Sequence, residues 1–263
     1  MRNIVLAAMI AVGASSILYL LATALGLPSE VAKGLAGIPA FAIQKVYEFL
    51  EAWSAKRALA ETGLSSMMSV KDFSMHPLSV FLLSTVMMWG VIHFIGGLMG
   101  VSIGIADDVS EARILDSQPK LFAQLIVFTS LPLKIIAAAH IGNWIGTRSR
   151  RYGLAIAIGA IALGSIASWS FSILMMSDEM FKVVAGDTRT GGTVLTQFFL
   201  LLPDMAIFII FGAIGFWHGQ RRKLAYYLAF IMKILPEETR QTIVEMAREE
   251  ALRALRPTMQ ATS

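Results

Sequence analysis

Residues Val194–Trp217 read VLTQFFLLLPDMAIFIIFGAIGFW, an apolar run with one ionisable side chain, Asp204. Roughly 20 such residues, coiled as helix, cross the ~30 Å hydrocarbon core of a bilayer. Inside that core the backbone can satisfy its own N–H and C=O groups only as a helix or a closed barrel. The stretch lacks the apolar–polar alternation of a barrel strand, so it predicts a transmembrane helix. Four further segments pass the same test: Ile4–Leu27, Leu78–Ile105, Leu121–Gly146 and Leu154–Met176. The expected fold class is all-α, a polytopic transmembrane helix bundle of five spans, or six, with an amphipathic cytoplasmic C-terminal helix.

Composition agrees. The 263 residues are 56% hydrophobic and 15% charged, with a mean hydropathy of +0.67, where a soluble domain carries about 25% charged residues. The absence of cysteine excludes disulfides, thiolate metal sites and cysteine nucleophiles. The net charge of +4 comes from bases beside apolar blocks, which reads as orientation in a membrane and not as nucleic-acid binding.

Lys and Arg in the connections set that orientation, because cytoplasmic loops hold the excess. Arg148, Arg150 and Arg151 follow the third long span with no acid among them, and Arg221, Arg222 and Lys223 follow the last. Both places are expected to face the cytoplasm. Ala106–Lys120 and Ser177–Thr193 are richer in acids and are expected to face out. A bacterial cytoplasmic membrane is the expected location, from the compact loops and alanine-rich spans. Five spans would place Met1 outside, against Arg2 and the terminal amine. A sixth crossing through about Val31–Glu51 removes that conflict, yet the stretch holds Lys33, Lys45, Glu48 and Glu51 with Pro39. A re-entrant or interfacial helix there is the alternative. Ala22-Thr23-Ala24 resembles a signal-peptide cleavage site, but the preceding apolar run is longer than a signal's and reads as an uncleaved anchor. The chain thus divides into residues 1–27, a first span; 28–77, an amphipathic or re-entrant segment; 78–217, a four-helix bundle; and 218–263, a cytoplasmic tail.

Polar groups at depth are the candidate sites, since a charge at the bilayer centre costs about 2.5–3.5 kcal/mol on insertion scales. Lys134 and Asp204 lie about 20 and 15 Å below the outer ends of their helices, close enough in depth to pair. Pro132 and Pro203 stand beside them, and prolines beside midplane charges are one way transporters build sites. His93 is at a similar depth and completes an expected polar cluster of Lys134, Asp204 and His93. Such a cluster either relays protons or binds a small ion, or it is a fixed ion pair and a hydrogen-bonded histidine that hold helix register.

Two surfaces suit contact. Gly96, Gly100 and Gly104 repeat at four-residue spacing, which permits close helix approach within the chain or against a partner. Ala7, Ala11 and Ser15, and Ala160, Gly164 and Ser168, form similar stripes. After Pro236, Ile243, Val244, Ala247, Ala251, Leu252 and Leu255 make one apolar stripe on an otherwise charged helix. This stripe either docks a cytoplasmic partner or packs on the chain itself, for instance near Lys45–Leu59.

No phosphate-cradling Gly-x-x-x-x-Gly-Lys-Ser/Thr, no His-Glu-x-x-His and no Gly-x-Ser-x-Gly occurs. No catalytic residue, metal ligand set or cofactor is expected, and the chain is read as a non-enzyme. The expected function is a subunit or accessory scaffold of a membrane assembly. Its partners are the bilayer and a protein met through the C-terminal helix or the Gly96/Gly100/Gly104 face. The alternative is a small-solute or proton-coupled transporter using Asp204, Lys134 and His93.

Overall fold

The computed structural model describes residues 2–27, 29–62, 74–111, 119–149, 151–175 and 190–260. For 96–111, 119–129 and 250–260 it describes the helical course but not the surroundings of the side chains. The described residues form seven helices: α1 Arg2–Ala24, α2 Ser29–Thr62, α3 Pro77–Glu111, α4 Pro119–Arg148, α5 Gly153–Met175, α6 Gly191–Ile234 and α7 Glu237–Gln260. No strand occurs among them beyond an isolated bridge between Met75 and Ser149.

Four helices are long and apolar enough to cross a membrane: α1 over Asn3–Ala24, α3 over Pro77–Ile95, α5 over Gly153–Phe171, and α6. The chain is therefore a multi-pass membrane protein. Their outward side chains suit hydrocarbon, as with Met9 and Val12 of α1, each about two-thirds exposed at 66% and 67%. Local signals end and start these helices. Gly26 at φ +73° closes α1: the Leu27 N–H donates to Ala22 O and the Gly26 N–H to Thr23 O, both at 3.0 Å. That is the glycine-terminated double bond that satisfies a helix's last carbonyls. Thr190 caps α6, its hydroxyl accepting from the Thr193 N–H while the Thr193 hydroxyl accepts from the Thr190 N–H.

Six helices alternate in direction. Asn3 Nδ2 donates to Ser54 Oγ at 3.1 Å and Ser15 Oγ to Ala36 O at 2.8 Å, so α1 and α2 are antiparallel. Ala7 and Ala11 sit in the same core as Ile43, Tyr47 and Leu50 of α2. Gly37 of α2 and Gly90 of α3 approach so closely that a Cβ on either would lie within 3 Å of the other helix's backbone. Glu51, about three turns before the end of α2, meets Arg148 at the end of α4, and the Met75 N–H before α3 donates to Arg148 O at 2.8 Å. Gln220 of α6 bonds Gly146 O at that same end. This end also carries Arg151, Arg221, Arg222 and Lys223 and is called the basic end below. The start of α1 and the end of α6 both lie there. The segment 29–62, where a crossing and a re-entrant helix both remained open, is one continuous helix through Pro39 that runs the length of the bundle beside α1 and α3.

Helices α4 and α6 are parallel neighbours in backbone contact. A Cβ on Gly142 would strike Gly212 O, one on Gly215 would strike Ala139 O, and one on Gly219 would strike Asn143 O. With lipid on both sides of the balance, close backbone approach replaces the hydrophobic effect as the source of helix association. The Ala160–Gly164–Ser168 stripe of α5 faces α3, where Gly164 lies against Thr85 and Met88. What Gly96, Gly100 and Gly104 face lies outside the described residues.

Helices α2 and α6 both overrun the bundle at the basic end. Past Glu51, α2 continues for about 17 Å, and past Gln220, α6 continues for about 21 Å. The two extensions pack on each other through Ala52, Ala55 and Leu59 against Tyr227, Phe230, Ile231, Ile234 and Leu235. No break separates the membrane part of α6 from the stretch after Lys223; the first break is at Leu235–Pro236.

Gly142→Val is expected to force α4 and α6 apart and to cost about 1–3 kcal/mol, as overpacking does. The cost should appear as a lowered unfolding midpoint in detergent, while Gly13→Val, at a glycine with open space around it, should leave the midpoint unchanged.

Candidate functional site

The sequence directs attention to Lys134 and Asp204, and the α4–α6 seam places them together. Each lies eight residues before a glycine of the closest contact, Lys134 before Gly142 and Asp204 before Gly212. Equal spacing along parallel helices puts the two side chains at one level. Asp204 is the charge that acts on the Lys134 ammonium, although no ion pair within 4 Å joins them. Both helices continue through their prolines, Pro132 and Pro203, so neither is split into half-helices.

His93 is elsewhere. Its ring is buried between α3 and α5, stacked on Trp89 at 4.6 Å, with Phe171 at 4.9 Å and Nδ1 3.2 Å from Ser168 Oγ. The charge acting on it is Lys33 of α2. On α3, Val91 and Ile95 take the side that meets Ala137 of α4, and His93 lies nearly opposite, since two residues turn a helix by about 200°. The structure therefore sets Lys134 and Asp204 at one level on neighbouring helices and gives His93 separate surroundings. Ser168 is fully buried, and its contact with His93 joins α3 to α5.

Among the described residues, the most deeply buried charges are a pair at the basic end. Arg148 Nη1 lies 2.8 Å from Glu51 Oε2, each side chain only 5% exposed. Tyr47 Oη donates to Glu51 Oε1 at 3.3 Å, and the guanidinium stands over the Phe230 ring at 5.9 Å. About two turns further into the bundle, Gln44 Nε2 donates to Glu48 Oε1 at 2.9 Å, which leaves Gln44 Oε1 to accept from His140 Nε2 at 3.0 Å. This network assigns the proton of His140 to Nε2. Lys45 reaches Glu48 at 3.4 Å, and Asn143 Nδ2 donates to Tyr226 Oη at 3.3 Å. The Glu51–Arg148 and Gln44–His140 contacts tie α2 to α4, and both helices also pack on α3.

Sequence reasoning did not find this framework. A signal was present: Gln44, Glu48 and Glu51 fall at i, i+4 and i+7, one polar stripe on a helix. Read as charges spoiling a span, they concealed a partner helix. Arg148 was read only as one of a run of loop bases, although it ends a helix and turns inward.

Beyond the bundle, Ile243 of the tail stripe packs on the α2–α6 extension. Val244 and Ala247 beside it are exposed, Val244 by 54%. The surroundings of Ala251, Leu252 and Leu255 lie outside the described residues. Among the described residues no group of three or more His, Asp or Glu could hold a metal ion.

Comparison with protein-family models, with curated proteins and with solved structures finds no match to this chain.

Removing one member of a buried ion pair strands the other charge, at a cost of about 3–5 kcal/mol, while replacing both with apolar residues is far milder. Glu51→Leu or Arg148→Met alone is expected to destabilise the protein by that amount in detergent unfolding, and the double variant to recover most of it. A Glu51→Leu protein as stable as the parent would mean the pair is not desolvated.

Proposed function

We propose that this protein is a six-span, non-enzymatic component of a membrane assembly that holds a preformed docking platform on the cytoplasmic side. The observation that carries this reading is the joined overrun of α2 and α6 at the basic end, with α7 attached through Ile243. Two transmembrane helices that continue into the aqueous phase and pack there make a stiff mount. The helix set on it shows Val244 and Met246 outward, both more than half exposed, above a charged remainder that includes Glu245 and Arg248.

Six crossings follow from α2 and α4 running the bundle alongside the four more apolar helices. An even number returns the chain to its starting side, in keeping with Asn3 and Gln220 sharing one end. Lys56, Arg57, Arg148, Arg151, Arg221 and Arg222 make that end cytoplasmic by the excess of bases. The continuous α4 and α6 and their backbone-tight glycine seam favour a fixed bundle over one that rocks between states.

Transport is the second reading, favoured by one observation: Lys134 and Asp204 at a common mid-depth, each beside a proline. On that reading Asp204→Asn abolishes proton or solute movement in proteoliposomes. On the platform reading the same variant, and Lys134→Met with Asp204→Asn together, leaves assembly intact.

Single cysteines placed at Asn3 and at Gln260 are expected to react with impermeant maleimide from the same side of the membrane, with no native thiol to interfere. Reaction from opposite sides rules out six crossings. Deleting residues 236–263 should leave the bundle inserted and folded but abolish recovery of its assembly in gentle detergent. Recovery of an unchanged assembly from the truncated protein defeats the platform reading.

A further inference from the structure

We infer that the face between α2 and α4 is where two copies of this chain pair within the membrane. The inference rests on the membrane reading above and is independent of the α7 platform. On α2, Phe41, Lys45 and Phe49 follow one another at four-residue spacing and are exposed, the Lys45 side chain by 72%. On α4, Leu133, Ile136 and His140 form a matching exposed stripe. The apolar members of both stripes suit lipid. Lys45, Glu48 and His140 do not, because ionisable residues at membrane depth face a bundle interior, a water-filled cavity or one another.

Depth makes the conflict concrete. Lys45 is six residues and His140 eight residues on the membrane side of the Glu51–Arg148 pair, about 9 and 12 Å. Gln44 is already committed at both ends of its amide to Glu48 and His140. His140 Nδ1 has no partner among the described residues. The Lys45–Glu48 contact is long, at 3.4 Å, and leaves the ammonium largely uncovered.

The charges select the occupant. The patch carries both signs one helical turn apart, so it is complementary to itself under a two-fold axis: Lys45 of one copy meets Glu48 of the other, and the reverse. A lipid headgroup or a partner helix of one sign would satisfy one of the charges and oppose the other. Phe41, Phe49, Leu133 and Ile136 would flank the exchanged pairs with apolar contact.

Single cysteines at Phe49 and at Ile136 test the surface by oxidative crosslinking in intact membranes. A disulfide-linked band at twice the 28.6 kDa chain mass is expected from both, and none from a cysteine at Leu163, exposed on α5. Charge exchange then separates pairing between copies from the contact within one. Differently tagged Lys45→Glu and Glu48→Lys chains each bring like charges together when alone. When co-expressed they are expected to form the mixed pair at least tenfold over either like pair. The full chain and the chain lacking residues 236–263 should pair equally, which distinguishes failure here from failure of the platform reading. The proposal is overturned by monomers throughout, by crosslinks only to a different protein, by equal crosslinking at Leu163, or by no preference for the mixed pair.

Discussion

The buried contact between Glu51 and Arg148 is the constraint from which the arrangement of this bundle follows. Two charges with side chains 5% exposed are expensive to desolvate, and their attraction offsets this only when geometry and extra hydrogen bonds are good. Here Tyr47 supplies a bond to the carboxylate and Phe230 a ring face to the guanidinium. That pair ties α2 to α4, while the backbone of α2 packs on α1 and α3. With Glu51 held level with Arg148, Gly37 falls opposite Gly90, and Ser15 of α1 reaches Ala36 O. A shift of α2 by one residue would rotate Glu51 away by about 100° and put a Cβ-bearing neighbour where Gly37 now touches α3. The ion pair and the glycine contact thus specify the same register by independent means.

A second close contact fixes the other half of the bundle. Where Gly142 meets Gly212 and Gly215 meets Ala139, nothing larger than hydrogen fits, so the two helices have one stable offset. Cα–H groups brought this near to opposing carbonyls add weak hydrogen bonds of about 0.5–1 kcal/mol each. The offset sets the level of Lys134 against Asp204, eight residues from the contact on each helix. Their common level is therefore a consequence of backbone packing and need not itself hold the helices together.

Depth was legible in the sequence and azimuth was not. Counting residues from the helix ends placed Lys134, Asp204 and His93 at similar depth, and the first two fall at one level on neighbouring helices. His93 failed to join them because its direction around α3 depends on which neighbours α3 has, and those come from distant parts of the chain. The apolar spans were legible because hydrocarbon selects on composition alone. Helix α2 was not, since a helix that buries its polar stripe against another helix carries the same charges as a loop. Whether Glu51 is a solvated or a buried acid is decided by Arg148, 97 residues away, and no local pattern contains that information. The small-residue stripes show the same division. Ala7, Ala11 and Ser15 and Ala160, Gly164 and Ser168 were readable as packing faces, while their partners were not.

Continuity of the long helices has a mechanical consequence. Helix α6 runs without a break from the capped Thr190 to Ile234, about 66 Å for its 44 residues, with one ladder bond missing at Pro203. A helix whose backbone bonds are all internal transmits rotation and displacement along its axis, whereas a loop absorbs them. Alongside it α2 is bonded to the same unit through Ala52, Ala55 and Leu59, so bending either extension means shearing that apolar contact. The joint with the least resistance is then Leu235–Pro236, where the chain leaves helical geometry at φ −64° and ψ 148°. Motion of α7 relative to the bundle is concentrated at that joint and restrained there by Ile243. A load applied to α7 thus reaches the membrane helices through two parallel rods, and the point where those rods enter the bundle is the Glu51–Arg148 pair.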